Sequence, residues 1–113
     1  MSSLLVGVAV DCADPLTLAQ FWADVLGRQV AEDSTPGHAV LLADRTDTGS
    51  PLVVFNVVPE PKTVKNRLHL DVTTADLQAV VDHGATVLRE QDDETGWTVL
   101  ADPQGNEFCA FLA

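Results

Sequence analysis

The stretch DPLTLAQFWADVLG, residues 14–27, carries the signals of a complete α-helix. Asp14 suits the N-cap, and Pro15 suits the first helical position because its missing N–H needs no partner there. Apolar side chains recur at the spacing of one helical face: Leu18, Phe21, Trp22, Val25 and Leu26. Gly27 supplies the left-handed residue that ends a helix. The stretch therefore predicts an amphipathic helix with one buried face.

Strand-like segments lie on both sides of this helix. Residues 4–11, LLVGVAVD, alternate with the two-residue period of a β-strand, so that Val6, Val8 and Val10 share one face. Short strands are predicted after the helix, separated by turn signals at Pro36-Gly37 and in DRTDTGSP, around 28–32, 38–43 and 52–58. The first half thus has one strand, one helix and three further strands.

The same order repeats after the proline-containing linker PEPKTVKN. A strand at 66–72 precedes a helix at 75–83, which Thr73 or Thr74 caps and Gly84 ends. The apolar stripe of this helix is formed by Leu77, Val80 and Val81. Three strands are predicted around the turn DPQGN, at 86–91, 97–101 and 106–112. The chain therefore predicts one α+β domain, residues 1–113, built from two βαβββ modules at about 1–60 and 64–113.

The stretch NRLHLDV, residues 66–72, places a histidine and an aspartate in an apolar strand. Alternation puts Leu68, Leu70 and Val72 on one face and Arg67, His69 and Asp71 on the other. We expect the two helices to cover the Leu68 face and the Val6 face of their modules. Asp11 and Asp71 come at matching points of the two modules, so the opposite faces are expected to form a concave, polar surface.

Composition restricts the classes of partner. The formal net charge is −11, whereas nucleic-acid binding needs a basic surface. The same charge disfavours an anionic membrane surface, and no apolar run reaches the roughly 20 residues that span a bilayer. Cys12 and Cys109 form neither a disulfide framework nor a zinc signature, and the start lacks the positive region of a signal peptide. We therefore expect a cytoplasmic protein that binds neither nucleic acid nor membrane.

Three of the six basic residues, Lys62, Lys65 and Arg67, lie just before His69. Such a segment is usually a solvated loop. The other interpretation is a local positive region that attracts an anionic small molecule.

The segments VDCADPLTLAQFWADVLG, NRLHLDV and WTVLADPQGNEF, in this order and spacing, resemble the vicinal oxygen chelate superfamily. This group comprises glyoxalases, bleomycin-resistance proteins and dioxygenases. The resemblance covers essentially the whole chain, and its closest branch is the small glyoxalase-like domains. It implies that the paired βαβββ modules form a cupped sheet around a small-molecule pocket.

The resemblance also implies where a divalent metal would bind, namely through four ligands on the first and last strands of both modules. Gly7 and either Val53 or Val54 occupy the two positions of the first module and cannot bind metal. His69 is a suitable ligand in the second module, and Cys109 suits zinc but is atypical of the superfamily. We therefore expect no cofactor and no metal in the standard site. A relocated divalent metal, held by His69 and Glu107, is the alternative.

The alternation of side chains along each predicted strand selects the candidate site residues. His69 is the candidate acid–base group, and Asp71 is its orienting carboxylate. Candidate substrate contacts are Asp11, Arg67, Trp97, Glu107 and Cys109. Structural roles compete with these assignments, since a strand histidine often satisfies a buried polar group and a small thiol often fills apolar space.

Two functions are compatible with this pattern. The first is a lyase or isomerase of the glyoxalase type that acts on a small polar metabolite through His69. The second is a non-catalytic, bleomycin-resistance-like protein whose acidic pocket takes a cationic drug. The resemblance implies a homodimer for this second class. A ring-cleaving dioxygenase is not expected, because its iron site needs two histidines and a glutamate.

Overall fold

The computed structural model describes residues 2–43, 50–94 and 96–113, which form two helices and seven strands in two sheets. This architecture confirms the predicted α+β class. The chain divides into two compact units, Met1–Pro61 and Lys62–Ala113, called here the amino-terminal and carboxy-terminal units. Neither helix of the described residues has the length and apolar character needed to cross a membrane.

The amino-terminal unit contains β1 (Gly7–Cys12), α1 (Pro15–Leu26), β2 (His38–Leu41) and β3 (Leu52–Val57). Its sheet has the order β1-β3-β2, with β1 parallel and β2 antiparallel to β3. Parallel strands need a long connection, and here both α1 and β2 lie between β1 and β3 in the chain. The core face of this sheet carries the buried side chains of Ala39, Leu41, Val53 and Phe55.

The helix predicted from residues 14–27 is confirmed. Asp14 is its N-cap, and its carboxylate accepts hydrogen bonds from the backbone N–H and the hydroxyl of Thr17, at 3.2 and 2.7 Å. Gly27 ends the helix in the left-handed region, at φ 67°. Leu18, Phe21 and Trp22 are buried as the stripe predicts, and each such side chain contributes about 1.5–3 kcal/mol through burial.

Two predictions in this unit need correction, and a third falls largely outside the described residues. The strand at 28–32 is wrong, since within the described part of the chain this segment forms an isolated bridge between Val30 and Leu41 instead of a strand. β1 begins at Gly7, and the Val6 side chain is 75% exposed, so it is not covered by a helix. A strand needs partner residues for its N–H and C=O groups, and alternation alone does not supply them. The turn predicted in DRTDTGSP lies largely at 44–49, outside the described residues.

The carboxy-terminal unit contains β4 (Asp71–Thr74), α2 (Leu77–Asp82), β5 (Thr86–Arg89), β6 (Thr98–Ala101) and β7 (Glu107–Leu112). Its sheet order is β4-β7-β6-β5, with β4 parallel to β7 and the remaining pairs antiparallel. The topology repeats that of the amino-terminal unit. There, the bridge from Val30 to β2 takes the position that β5 has beside β6 in this unit.

The first strand of this unit is shorter than predicted. β4 begins at Asp71, although the carbonyl of Leu70 already accepts a hydrogen bond from the Cys109 N–H at 3.0 Å. Leu68 is 87% exposed, so the prediction that a helix covers it is wrong. Residues 66–69 therefore lie before the sheet with a bend at 67–68, and their alternation does not reflect a buried face.

The second helix begins later than predicted. Asp76 is its N-cap, and its carboxylate accepts the Ala79 N–H at 3.2 Å, whereas Thr74 receives the Asp76 N–H on its hydroxyl. The predicted cap at Thr73 or Thr74 is thus displaced to the next acceptor along the chain. Val80 is the buried residue of this short helix.

The turn predicted in DPQGN is confirmed. The buried carboxylate of Asp102 accepts the backbone N–H groups of Gln104 and Asn106, each at 3.0 Å. Gly105 has φ 85°, a conformation that glycine adopts without steric cost. This turn directs β7 back along β6 and so positions the residues of β7 that face the site.

Candidate active site

A pocket of about 400 Å³ lies on the sheet face of the carboxy-terminal unit that carries Asp71. It is lined by Lys65, His69, Asp71, Trp97, Val99, Glu107, Cys109 and Phe111. Alternation along β7 places its lining residues on this face, while Phe108 and Ala110 are buried on the other. The face that we predicted for β7 is therefore the face that lines the pocket.

His69 and Asp71 form a hydrogen-bonded pair within this pocket, with Nδ1 of His69 3.1 Å from Oδ1 of Asp71. Both side chains are accessible, at 39% and 57% exposure. An ionised carboxylate only accepts hydrogen bonds, so the pair requires a proton on Nδ1 of His69. In the neutral imidazole, Nε2 then holds the lone pair, and His69 is oriented as a proton acceptor.

Cys109 lies beside this pair and is 8% exposed. It is the register partner of Asp71 across the parallel β4–β7 ladder, which places both side chains on one face. Burial, and then the negative charge of Asp71, raises the pKa of the Cys109 thiol. The thiol is therefore neutral near pH 7 and is a weak nucleophile unless a cation stabilises the thiolate.

Glu107 forms one wall of the pocket through contacts with the preceding loop. One carboxylate oxygen accepts from Nζ of Lys62 and the other from the backbone N–H of Asn66, each at 2.9 Å. The Asn66 N–H and then Lys62 lower the pKa of Glu107 to about 2. Lys62 also donates to the carbonyl of Val64. Glu107 therefore holds residues 62–66 against β7 as a charged side chain.

An aromatic pair forms another wall. The ring centroids of Trp97 and Phe111 are 5.8 Å apart at an angle of 42°, and both residues are half-buried. The guanidinium carbon of Arg89 lies 5.9 Å from the Trp97 centroid, within cation–π range. Trp97, a candidate substrate contact from the sequence, therefore lies in the pocket lining.

Sequence reasoning missed Val99 and Arg89. Val99, on β6, is the register partner of Cys109. The same alternation of side chains, applied to the neighbouring strand, would have identified it. Arg89 comes from β5, and no sequence signal connects it with Trp97, because that contact depends on sheet order.

Two predicted site residues lie apart from this lining. Arg67 is exposed and is not among the lining residues. Asp11 is exposed on β1 of the amino-terminal unit, where its register partner is Asn56. Asn56 in turn accepts a hydrogen bond from Nδ1 of His38 at 2.7 Å. The convergence of Asp11 with His69 and Asp71 stays a prediction.

The standard metal set does not fit the residues of the amino-terminal unit. Gly7 has no side-chain donor, and Val53 is a buried core residue of β3. The carboxy-terminal unit offers donor atoms of a different set, since one ligand atom from each of His69, Asp71 and Cys109 lies within 4.8 Å of the other two. The predicted alternative pairing of His69 with Glu107 has less support, because both Glu107 oxygens carry hydrogen bonds.

Comparison with known proteins assigns the family. The sequence model of the glyoxalase-like domain matches residues 7–111, and the chain therefore belongs to this family, which is part of the vicinal oxygen chelate superfamily. The resemblance inferred from the sequence is thereby confirmed. No curated protein matches the chain.

Solved structures share the fold at low sequence identity. A glyoxalase/bleomycin resistance protein/dioxygenase family enzyme from Burkholderia phytofirmans superposes with a TM-score of 0.72 at 21% identity, over 97% of this chain and 98% of its own. A glyoxalase/bleomycin resistance protein from Albidiferax ferrireducens gives 0.65 at 18%, over 98% and 99%. The trypanothione-dependent glyoxalase I of Leishmania major gives 0.63 at 12%, over 98% and 87%. These similarities establish architecture, and activity must be argued from the site.

Proposed function

We propose that this protein binds a small polar metabolite in the pocket of the carboxy-terminal unit and that His69 transfers a proton on it, as in a lyase or isomerase. The observation that supports this proposal best is the 3.1 Å contact between Nδ1 of His69 and Asp71 in the pocket lining. A general base needs an available lone pair and an orienting partner, and this pair provides both.

The path of the transferred proton defines the reaction class. Nε2 of His69 takes a proton from a carbon next to a carbonyl group and becomes an imidazolium. Asp71 stabilises that cation through Nδ1–H. Return of the proton to a neighbouring atom completes an isomerisation, and its delivery to a departing hydroxyl completes a dehydration. Neither sequence requires a second histidine.

The remaining lining residues restrict the substrate. Lys65 offers a positive charge at the pocket, which suits a carboxylate or phosphate group of the substrate. Trp97, Val99 and Phe111 offer an apolar wall for its carbon skeleton. The site is therefore suited to a small carbonyl or hydroxy acid.

The experiment is deuterium incorporation into a panel of small keto acids and hydroxy acids in D2O, followed by NMR with metal-free protein. We expect exchange at carbon next to the carbonyl of one or more panel members, and its loss in His69→Ala. His83→Ala, which removes an exposed histidine at the end of α2, should leave exchange unchanged. Equal exchange in wild type and His69→Ala would refute the proposed role of His69.

The aromatic pair favours a second candidate function, a non-catalytic drug-binding protein. Half-buried Trp97 and Phe111 provide a surface on which a flat ligand can stack, and Asp71 provides a charge partner for a cationic one. Quenching of tryptophan fluorescence by cationic aromatic drugs, lost in Trp97→Leu and accompanied by no deuterium exchange, would support this function over the first. The homodimer and the cytoplasmic location stay predictions, and sedimentation of the purified chain tests the dimer.

A further inference from the structure

We infer that His69, Asp71 and Cys109 form a binding site for a thiophilic divalent cation such as Zn²⁺, held by the carboxy-terminal unit alone. The inference goes beyond the proposed function and does not depend on it, because it requires only the three donor atoms. An imidazole nitrogen, a carboxylate oxygen and a thiol sulfur lie within 4.8 Å of one another. Three protein donors with a solvent position are typical of open zinc sites.

The backbone holds two of the three ligands in register. Asp71 and Cys109 are direct partners on the parallel strands β4 and β7, so their side chains lie next to each other on the pocket face. His69 approaches from the segment before β4, with its Nδ1 already 3.1 Å from Asp71. Bonds of about 2.0–2.3 Å place tetrahedral zinc donors roughly 3.3–3.7 Å apart. The separation of up to 4.8 Å must therefore shrink on binding, and the accessible side chains of His69 and Asp71 are the ones that would move.

The donor set determines which cations bind. A thiolate with an imidazole and one carboxylate favours zinc, cobalt or cadmium, whereas magnesium and calcium prefer oxygen donors. Ligation through Nδ1 requires the neutral imidazole of His69 to carry its proton on Nε2 instead. Binding also releases the thiol proton of Cys109 to solvent, and the cation then stabilises the thiolate. The partial exposure of His69 and Asp71, 39% and 57%, leaves the fourth coordination position open to water or ligand.

This site keeps the two second-module positions of the standard set, His69 and Cys109, but replaces the ligands that the standard set draws from the first module with Asp71. Gly7 lies seven residues before the N-cap Asp14, as His69 lies seven before the N-cap Asp76, and Gly7 contributes no donor. Asp71, which follows His69 on the same face, supplies the additional oxygen. One unit therefore contains a complete three-ligand set.

The test is a titration of chelator-treated protein with Co²⁺, whose spectrum reports both coordination number and thiolate ligation. We expect one equivalent to bind, with the intense visible bands of a four-coordinate ion and a thiolate charge-transfer band in the near ultraviolet. Cys109→Ser should abolish the charge-transfer band and weaken Zn²⁺ binding by more than about 100-fold. Asp71→Asn should weaken it by about 10-fold or more.

Cys12→Ser is the matched control, because it removes the other cysteine, a buried residue of β1, and should leave the spectrum unchanged. Cys109→Ala gives a second variant in which no hydroxyl is buried, and circular dichroism checks the fold of each. Binding of Co²⁺ without a thiolate band, or a band that survives in Cys109→Ser or disappears in Cys12→Ser, would overturn the inference. Competition by Mg²⁺ equal to that by Zn²⁺ would overturn it as well.

The outcome is separable from the proposed function, since proton exchange is measured with metal-free protein. Exchange that depends on His69 without thiolate-ligated cobalt would refute the metal site and leave the proposed function standing. Thiolate-ligated cobalt without exchange on any member of the panel would leave the metal site standing and argue against the proposed chemistry.

Discussion

The two units share one topology but place different chemistry on the same face. In both, the first strand pairs parallel with the last, and the last pairs antiparallel with the strand before it. With the N-caps Asp14 and Asp76 as reference points, Ala9 corresponds to Asp71, and its register partner Val54 corresponds to Cys109. Caps and strand pairing therefore determine the fold, whereas a few side chains on one face of one copy define the candidate site.

This correspondence also corrects the matching of the two modules. Asp11 lies three residues before Asp14, and its counterpart three residues before Asp76 is Thr73. The prediction that Asp11 matches Asp71 is therefore wrong, because it took Thr74 as the second cap. A shift of two residues keeps each side chain on its face, so the face assignment survives the correction.

Truncation of core side chains should have the largest effect on the free energy of unfolding. It also tests whether the two units unfold in one cooperative transition. Phe55 on β3 and Phe108 on β7 are almost completely buried, at 0% and 1% exposure. We expect Phe55→Ala and Phe108→Ala each to lower the free energy of unfolding by about 3–5 kcal/mol. Urea unfolding followed by circular dichroism measures the change. Two separate transitions in one variant, with one at the wild-type midpoint, would show that the units unfold independently.

Glu107 provides the next test, because the corresponding position in the amino-terminal unit is the apolar Leu52. We expect Glu107→Gln to lower the free energy of unfolding by about 1.5–3 kcal/mol near neutral pH, through loss of charge-assisted hydrogen bonds. Folding lowers the pKa of this carboxyl from 4.5 to about 2, so the carboxylate stabilises the fold above about pH 4.5. That stabilisation is lost as the pH falls through the folded-state pKa.

The pH dependence of the unfolding free energy therefore identifies the contribution of the ionised Glu107 carboxylate. The difference in unfolding free energy between wild type and Glu107→Gln should shrink steadily between about pH 5 and about pH 2. Glu90→Gln, at an exposed position after β5, is the matched control for removal of one glutamate charge and should change the unfolding free energy little. A difference for Glu107→Gln that stays constant over this range would mean that the ionised carboxylate is not the stabilising species.

Substitution of the glycines that follow the two helices should have the smallest effect on the free energy of unfolding. It extends the comparison of the two units to the ends of their helices. Gly27 has φ 67°, close to the left-handed well that asparagine tolerates, whereas Gly84 has φ 128°, outside that well. We expect Gly27→Asn to cost a few tenths of a kcal/mol and Gly84→Asn about 1–2 kcal/mol. Thermal unfolding measures both. Equal costs would indicate that residue 84 moves into the left-handed region when it is substituted.

The sequence predicted the parts of the fold that have local causes. The N-cap Asp14, the stop at Gly27 and the turn at Asp102–Asn106 are confirmed, because each depends on residues within a few positions of one another. The strand predicted at 28–32 and the first five residues of the strand predicted at 66–72 are wrong, because strand formation depends on partner residues distant in the chain.

The site was predictable to the same degree. Alternation along the last strand selected Glu107 and Cys109, which line the pocket, and NRLHLDV indicated the pair of His69 and Asp71. The engagement of Glu107 by Lys62 and Asn66 was not predictable, since it depends on how the loop before β4 lies against β7. The contact of Arg89 with Trp97 depends in the same way on the order of strands in the sheet.

The sequence by itself determined the α+β class, the duplicated module, the first helix and the family, because caps, glycines and hydrophobic periodicity act over short distances along the chain. Only the tertiary structure decided which polar side chains meet in the pocket of the carboxy-terminal unit. Register between strands brings Asp71 beside Cys109 although 38 positions separate them. Hydrogen bonding across the parallel ladder, which no local pattern encodes, assembles the candidate site.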